Sequence, residues 1–227
     1  MGWSDRTPAQ WTALLRKQAE PRTGLHVTDC LGCPRKRAGL AEGWPVDLDK
    51  LEARLSGTIL HAAMAQVDPE TAEIAVAGSL FGHEIVGSVD RLEDDGMVTV
   101  DYKTSEGSTA LPDKPYQEQA WQQETYRHLL AQHEAYTLGW KIFYKKAGRP
   151  WACFEHIGPV QTEAQLCTLR PHGGAFTTRE LAEQCASGVA AASLPLVGAT
   201  MKMGRGTVCE YCELQTPCNE KGYQVEL

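Results

Sequence analysis

The spacing of apolar and polar residues divides the chain into helical and strand-like stretches. In "DLDKLEARLSGTILHAAMAQV", residues 47–67, Leu51, Leu55, Ile59 and Ala63 recur at every fourth position, and Leu60, Met64 and Val67 widen the stripe. That period lays them along one face of a helix. Asp49, with Glu52 three residues later, predicts a start of the capping-box type. Gly57 inside this helix costs about 1 kcal/mol relative to alanine, which predicts the close approach of another backbone. Residues 72–80, 82–92 and 97–103 read as three strands in a meander. A helix over 115–134, strands over 136–146 and 151–157, and helical stretches at 161–170 and 177–192 follow; a short helix at 8–20 and a cysteine-rich basic turn at 28–40 precede them. The order predicts an α/β fold with a mixed sheet flanked by helices.

The hairpin within "GSVDRLEDDGMVTVDYKTS", residues 87–105, carries the candidate chemistry. Asp95-Gly96 predicts a two-residue turn with positive φ at both positions. Counting outward, Leu92 faces Thr99, Arg91 faces Val100, and Asp90 faces Asp101. Lys103 shares the face of the two acids, and Val98, Val100 and Tyr102 point the other way. Opposed carboxylates repel, and a divalent cation bound to both reverses the sign of that interaction. Lys103 adds a positive charge where a water or a phosphate oxygen would sit. Asp90, Asp101 and Lys103 thus fit a metal-dependent phosphodiesterase; the competing reading is a solvent-facing hairpin with ordinary acids.

Composition narrows the setting. The chain has 227 residues, 42% apolar and 22% charged, with a net charge of −7. This is an ordinary globular make-up, enough for one packed domain. No apolar run approaches the ~18 residues of a membrane span, and no secretion signal is apparent, so a cytoplasmic location is expected. There, eight cysteines are expected to be thiols or metal ligands. Two groupings are open: Cys30 and Cys33 with Cys209 and Cys212 as a zinc site, or one upstream cysteine with Cys209, Cys212 and Cys218 around an iron–sulfur cluster. Cys153, Cys167 and Cys185 read as buried apolar positions.

"GSVDRL…VTVDYKTS" resembles the core of the PD-(D/E)xK nucleases, in particular the RecB-like branch, in which an Asp ends one strand and an acid-x-Lys lies on the next. "GTILHAAM" is similar to the preceding motif, placing His61 four residues after Gly57. "YQEQAWQQETYRHLL" reads on its own as a polar helix surface, yet it resembles the branch's Gln-x-x-x-Tyr helix at Gln122 and Tyr126. The C-terminal C-x2-C-x5-C triplet and Cys33-Pro34-Arg35 resemble the iron–sulfur members, which include AddB-type helicase-nuclease subunits and CRISPR-associated exonucleases. The resemblance implies a restriction-endonuclease-like core over 47–157 within a single domain of 1–227. It also implies a cluster subdomain formed by 28–40 and 200–220.

The expected site follows from the same resemblance. His61, Asp90 and Asp101, with the Tyr102 carbonyl, would bind Mg²⁺ or Mn²⁺, with Lys103, Gln122 and Tyr126 completing the catalytic set. Cys33, Cys209, Cys212 and Cys218 would hold a [4Fe–4S] cluster, with Cys30 as a spare thiol. The implied activity is a DNA exonuclease on single-stranded ends. A CRISPR integrase or a helicase is an implied partner, and a homo-oligomer is open. The rival readings are a nuclease-fold binding module and a zinc-stabilised scaffold without catalysis. Candidate phosphate contacts are Arg35-Lys36-Arg37, Lys141, Lys145-Lys146, Arg149, Lys202 and Arg205. Trp140, Tyr144 and Trp151 are candidate stacking residues, with a sheet core as the alternative for these aromatics.

Overall fold

A computed structural model describes residues 15, 17, 19–105, 111–146, 148–203 and 206–220. In chain order its elements are β1 (Leu25–His26), α1 (Pro34–Ala41), α2 (Leu48–Val67), β2 (Ala72–Leu80), β3 (His83–Glu93) and β4 (Val98–Ser105). They continue with α3 (Gln117–Ala131), β5 (Gly139–Lys146), β6 (Ala152–Ile157), α4 (Glu163–Leu166), α5 (Thr178–Ala186), β7 (Lys202–Met203), β8 (Gly206–Thr207) and α6 (Gln215–Glu220). The helix expected at 8–20 falls largely outside the described residues. Contacts divide the chain into two compact units, one of Gly24–Thr28 and Ser56–Leu169, the other of Met1–Thr23, Asp29–Leu55 and Arg170–Leu227.

The first of these holds a six-stranded mixed sheet with β3 at its centre. Along one edge β3 pairs antiparallel with β2, from Leu80↔His83 back to Ala72↔Arg91. The turn between them carries positive φ at Phe81 (57°) and Gly82 (77°). Along the other edge β4 pairs with β3 only from Glu93↔Val98 to Arg91↔Val100. β4 then runs parallel to β5 from Val98↔Gly139 to Ser105↔Lys146, and β1 takes up the edge of β3 farther along, at Ile85 and Val86. β6 closes the order, antiparallel to β5.

The β3–β4 turn differs from the expected two-residue form. Asp94 (φ 53°), Asp95 (56°) and Gly96 (84°) are all left-handed, and the loop is held by Gly96 N–H to Glu93 O and Met97 N–H to Asp94 O, both 3.1 Å. Aspartate tolerates this conformation better than most residues, so the turn lengthens without shifting the register.

α3 lies on the sheet and buries Trp121, Tyr126 and Leu129. Its middle also buries Gln122, Gln123, Glu124 and Arg127, which overturns the polar-surface reading of this stretch. The physical reason lies partly in Arg127. Nη1 donates to both Glu124 oxygens (2.9 and 3.0 Å), Nε to Thr137 Oγ1 (2.9 Å), and Nη2 to the carbonyls of Thr137 (3.0 Å) and Gly158 (2.6 Å). Trp140 Nε1 donates to the same Glu124 carboxylate at 2.7 Å.

The second unit is built from short helices and 3-10 turns around small apolar clusters. One comprises Trp44, Ala191 and Leu214, another Leu181, Val197 and Met201, and a third Leu15, Leu51 and Leu55. The stretch read as a basic turn contains α1, because Pro34 sits at the first helical position, where its missing N–H costs nothing. α2 is capped by Asp47 rather than Asp49: the Asp47 carboxylate accepts the Asp49 N–H at 3.0 Å. On α2, Leu51 and Leu55 are buried while Ile59 and Val67 are exposed. A Cβ on Gly57 would meet Thr104 Oγ1 at 3.4 Å, an ordinary contact, so the expected backbone approach is absent there. The helix expected to reach 192 stops at Ser187, where Gly188 turns left-handed (φ 66°).

Candidate metal centre and thiol pocket

The centre forms where β4 leaves β3. The Asp90 carboxylate accepts the Tyr102 backbone N–H at 2.8 Å. Asp90 and Asp101 therefore do not form the expected ladder pair, and pairing stops one step short of them. The Asp101 side chain is 2% exposed, and its Oδ1 takes Lys103 Nζ at 2.8 Å. Its Oδ2 is buried with no hydrogen-bond partner. An ionised oxygen left this way is costly unless positive charge completes it. From α2, His61 Nε2 comes within 2.6 Å of the Tyr102 carbonyl oxygen, and its Nδ1 within 3.4 Å of Asp90 Oδ1.

Electrostatics follow from this crowding. Burial, then the charge of Asp101, push the Asp90 carboxyl up to about 7, against the pull of His61, Lys103 and the Tyr102 N–H. Burial pulls Lys103 down, but Asp101 and Asp90 together leave it raised, so it is a firm ammonium.

Gln122 and Tyr126 reach the same centre from α3. Lys103 Nζ lies 3.5 Å from Gln122 Oε1, and Gln122 Nε2 donates to the Tyr126 hydroxyl at 2.8 Å. The Tyr126 ring lies against β3 at Gly87, where a Cβ would come within 2.6 Å of it. Any larger residue there would displace the ring. Gln119, one turn earlier, accepts from the Tyr144 hydroxyl.

Sequence reasoning missed Glu73. Its carboxylate, the His61 ring and the Asp90 carboxylate offer ligand atoms within 4.8 Å of one another; Asp101 is not in that group. Glu73 is exposed on β2 and left-handed (φ 52°), and Ser88 Oγ donates to its Oε2 at 3.0 Å. Pairs Ala72↔Arg91 and Ile74↔Val89 set Glu73 opposite Asp90. The signal was present in the sequence: counting back from the Phe81-Gly82 turn, as for the neighbouring hairpin, reaches this pair.

Cys33, Cys209, Cys212 and Cys218 line one cavity, with Arg35 and Trp44 among its walls. Gly198 gives the thiols room, since a Cβ there would meet Cys209 Sγ at 3.0 Å and Cys33 Cβ at 3.6 Å. The Leu214 N–H points at Cys212 Sγ (3.4 Å), and Arg35 Nη1 at Cys218 Sγ (3.7 Å). Burial, then Cys33, Cys212 and Cys218, push the Cys209 thiol up to about 12. Four thiols around one cavity would suit a cluster, whose positive charge makes thiolates favourable; among the described residues, the group of ligand atoms close enough for a single ion does not include them. Cys30 lies elsewhere: it is buried, and burial, Cys185 and Asp29 raise its thiol. Cys153, expected in the core, is exposed, and Cys167 and Cys185 are only partly buried.

Several candidate phosphate contacts serve internal bonds. Arg35 is buried and bonds the Leu194 carbonyl, Lys36 pairs with Glu213, Arg37 with Asp29, and Lys141 with Glu93. Trp140 and Tyr144 are buried with Ile142. The Lys202 side chain and Arg205 lie outside the described residues.

Residues 9–219 match the profile of the PD-(D/E)XK nuclease superfamily. The chain belongs to that superfamily. Its members are generally metal-dependent nucleases, which makes DNA the substrate the family implies. Among solved structures, SSO0001 is similar at 18% identity and a TM-score of 0.59, over 95% of this chain and 98% of that one, and shows the shared fold. A candidate exonuclease from Eubacterium rectale is 12% identical over 69% of this chain and 79% of its own, with a TM-score of 0.39, too loose to define a common fold. No curated protein matches the sequence significantly. Among the described residues no helix is long and apolar enough to cross a membrane.

Proposed function

We propose that this PD-(D/E)XK chain is a Mg²⁺- or Mn²⁺-dependent DNA exonuclease of the RecB-like kind, acting on single-stranded ends and carrying a structural [4Fe–4S] cluster. The observation that carries the metal reading is the buried, unpartnered Oδ2 of Asp101 beside the Asp90 carboxylate. Asp90, Asp101, His61 and the Tyr102 carbonyl, with Glu73 as an addition, are the residues that would hold the ion. Oxygen-rich ligands with one imidazole suit hard divalent cations. When bound, such an ion polarises a phosphoryl oxygen and makes water more acidic.

Hydrolysis adds water across the phosphodiester: a P–O bond forms to the water oxygen, the P–O bond to the leaving sugar breaks, and the sugar oxygen takes a proton. Lys103 presents a permanent ammonium to the charge that develops on phosphate. Gln122, steadied by the Tyr126 hydroxyl, keeps that ammonium aimed, and Asp101 Oδ1 anchors it from the other side. Burial of Asp101 and Gln122 keeps bulk water away from these bonds.

The cluster reading is supported by four thiols around one cavity and by the C-x2-C-x5-C spacing of its C-terminal three. Cys33 would tie the segment before the nuclease core to the one after it, a structural rather than a redox role. A place in CRISPR adaptation, phage recombination or repair, beside an integrase or a helicase, fits this kind of nuclease.

The test is an anaerobic preparation assayed for iron and for digestion of end-labelled DNA. Brown protein with about four irons per chain, and digestion only with Mg²⁺ or Mn²⁺, is expected. Colourless protein with one zinc would remove the cluster, and digestion in EDTA would remove the metal mechanism.

A further inference from the structure

The carboxyl ends of β4 and β5 carry an aromatic group that the metal centre does not use. Trp151, just before β6, is 42% exposed, yet it is held in place. Its ring meets Tyr102 at 6.2 Å and Phe143 at 6.3 Å, both edge-on, and those two rings stack on each other at 5.8 Å. Lys145 Nζ lies 5.5 Å from the indole centre and donates to the Arg149 carbonyl at 2.6 Å, which steadies the loop leading to Trp151.

The ladder ties this group to the nuclease centre. Lys103 pairs with Tyr144, Thr104 with Lys145 and Ser105 with Lys146, so the lysines stand next along β5 after the partner of Lys103. Tyr102, which buttresses the indole, gives its carbonyl to His61 Nε2. Tyr102 thus serves both: its ring carries the indole, and its backbone carbonyl meets His61, with the ring on the face of β4 opposite Asp101 and Lys103.

A half-exposed tryptophan alone needs no explanation. A rigidly held one with the Lys145 ammonium over its ring, on a chain of net charge −7, does. Local positive charge of this kind attracts a polyanion, and a fixed indole offers a flat face to an unpaired base. We infer that Trp151, with Lys145 over its ring, is a platform on which a base of single-stranded DNA outside the metal centre stacks. The inference rests on the nuclease reading and deepens it. Duplex DNA gains little from the platform, because its base faces are already stacked.

The test measures anisotropy of labelled oligothymidylate on the full chain without added divalent ions. Trp151→Ala should weaken binding roughly tenfold, and Trp151→Phe should retain most of it. Lys145→Ala should lower the slope of log affinity against log salt by about one. Duplex affinity should be unmoved by Trp151→Ala. As a check independent of folding in the variants, a 5-iodouracil oligonucleotide irradiated on the native chain should cross-link to Trp151. Unchanged single-strand affinity in a folded Trp151→Ala protein, or cross-links only at other residues, would overturn the platform. A native chain that binds no oligonucleotide yet digests DNA with Mn²⁺ would overturn the platform alone, and one that does neither would overturn the nuclease reading with it.

Discussion

Two buried charged groups lie within the same unit and differ in how they are completed. The Arg127 guanidinium is wholly buried, and every nitrogen has a partner. Asp101 is nearly as buried, with Asp90 and Lys103 partly exposed beside it, but its Oδ2 has none and Asp90 is pushed far from its usual range. A buried ion pair that closes on itself specifies structure. One left open stores an unfavourable charge that only a ligand discharges. The contrast separates scaffold from site without reference to any relative.

The sharpest way to break this contrast is Lys103→Ala. Cleavage should fall by at least about a hundredfold, the cost of removing a charge that acts in the transition state, with circular dichroism unchanged. Full activity would place Lys103 with the scaffold. Arg127→Ala should do the reverse, costing about 3–5 kcal/mol in chemical denaturation because Glu124 is left buried and unpaired. A stability loss below 1 kcal/mol would mean that the closed pair is not a scaffold element.

Asp90→Asn tests the stored charge. The native carboxyl holds its proton up to about 7 while the unfolded one loses it near the ordinary carboxylate value. The native state therefore binds more protons across that window, and metal-free stability falls as pH rises through it. Asp90→Asn should abolish that fall in EDTA melts between pH 5 and 8, and should be the more stable protein at pH 8. The smallest effect is expected at Glu73→Gln, which should weaken Mn²⁺ binding by roughly tenfold in a titration followed by electron paramagnetic resonance. Native affinity in that variant would remove Glu73 from the centre.

Much of this was legible in the sequence because hairpins count reliably. The β3–β4 register, and with it the neighbourhood of Asp90, Asp101 and Lys103, followed from one Asp-Gly turn despite the extra left-handed residue. The helices and strands between 47 and 157 were found for the same reason: their periodicities are strong. The burial of Gln122 to Arg127 was not legible, since a polar run looks solvent-facing until Thr137, Gly158 and Trp140 supply its partners. Nor was the departure of β4 from β3, which depends on Asp90 taking the Tyr102 N–H. Glu73 was legible by counting and was missed because its hairpin has no Asn-Gly or Asp-Gly to advertise it.

That hydrogen bond from Tyr102 to Asp90 carries a mechanical consequence. The carboxylate proposed to hold the ion is also the bolt that ends the β3–β4 ladder, so the spacing of the candidate centre is set by strand backbones rather than by a freely rotating side chain. Neither strand can slide without moving the bolt. The stiffness of the sheet becomes the tolerance to which the centre is machined.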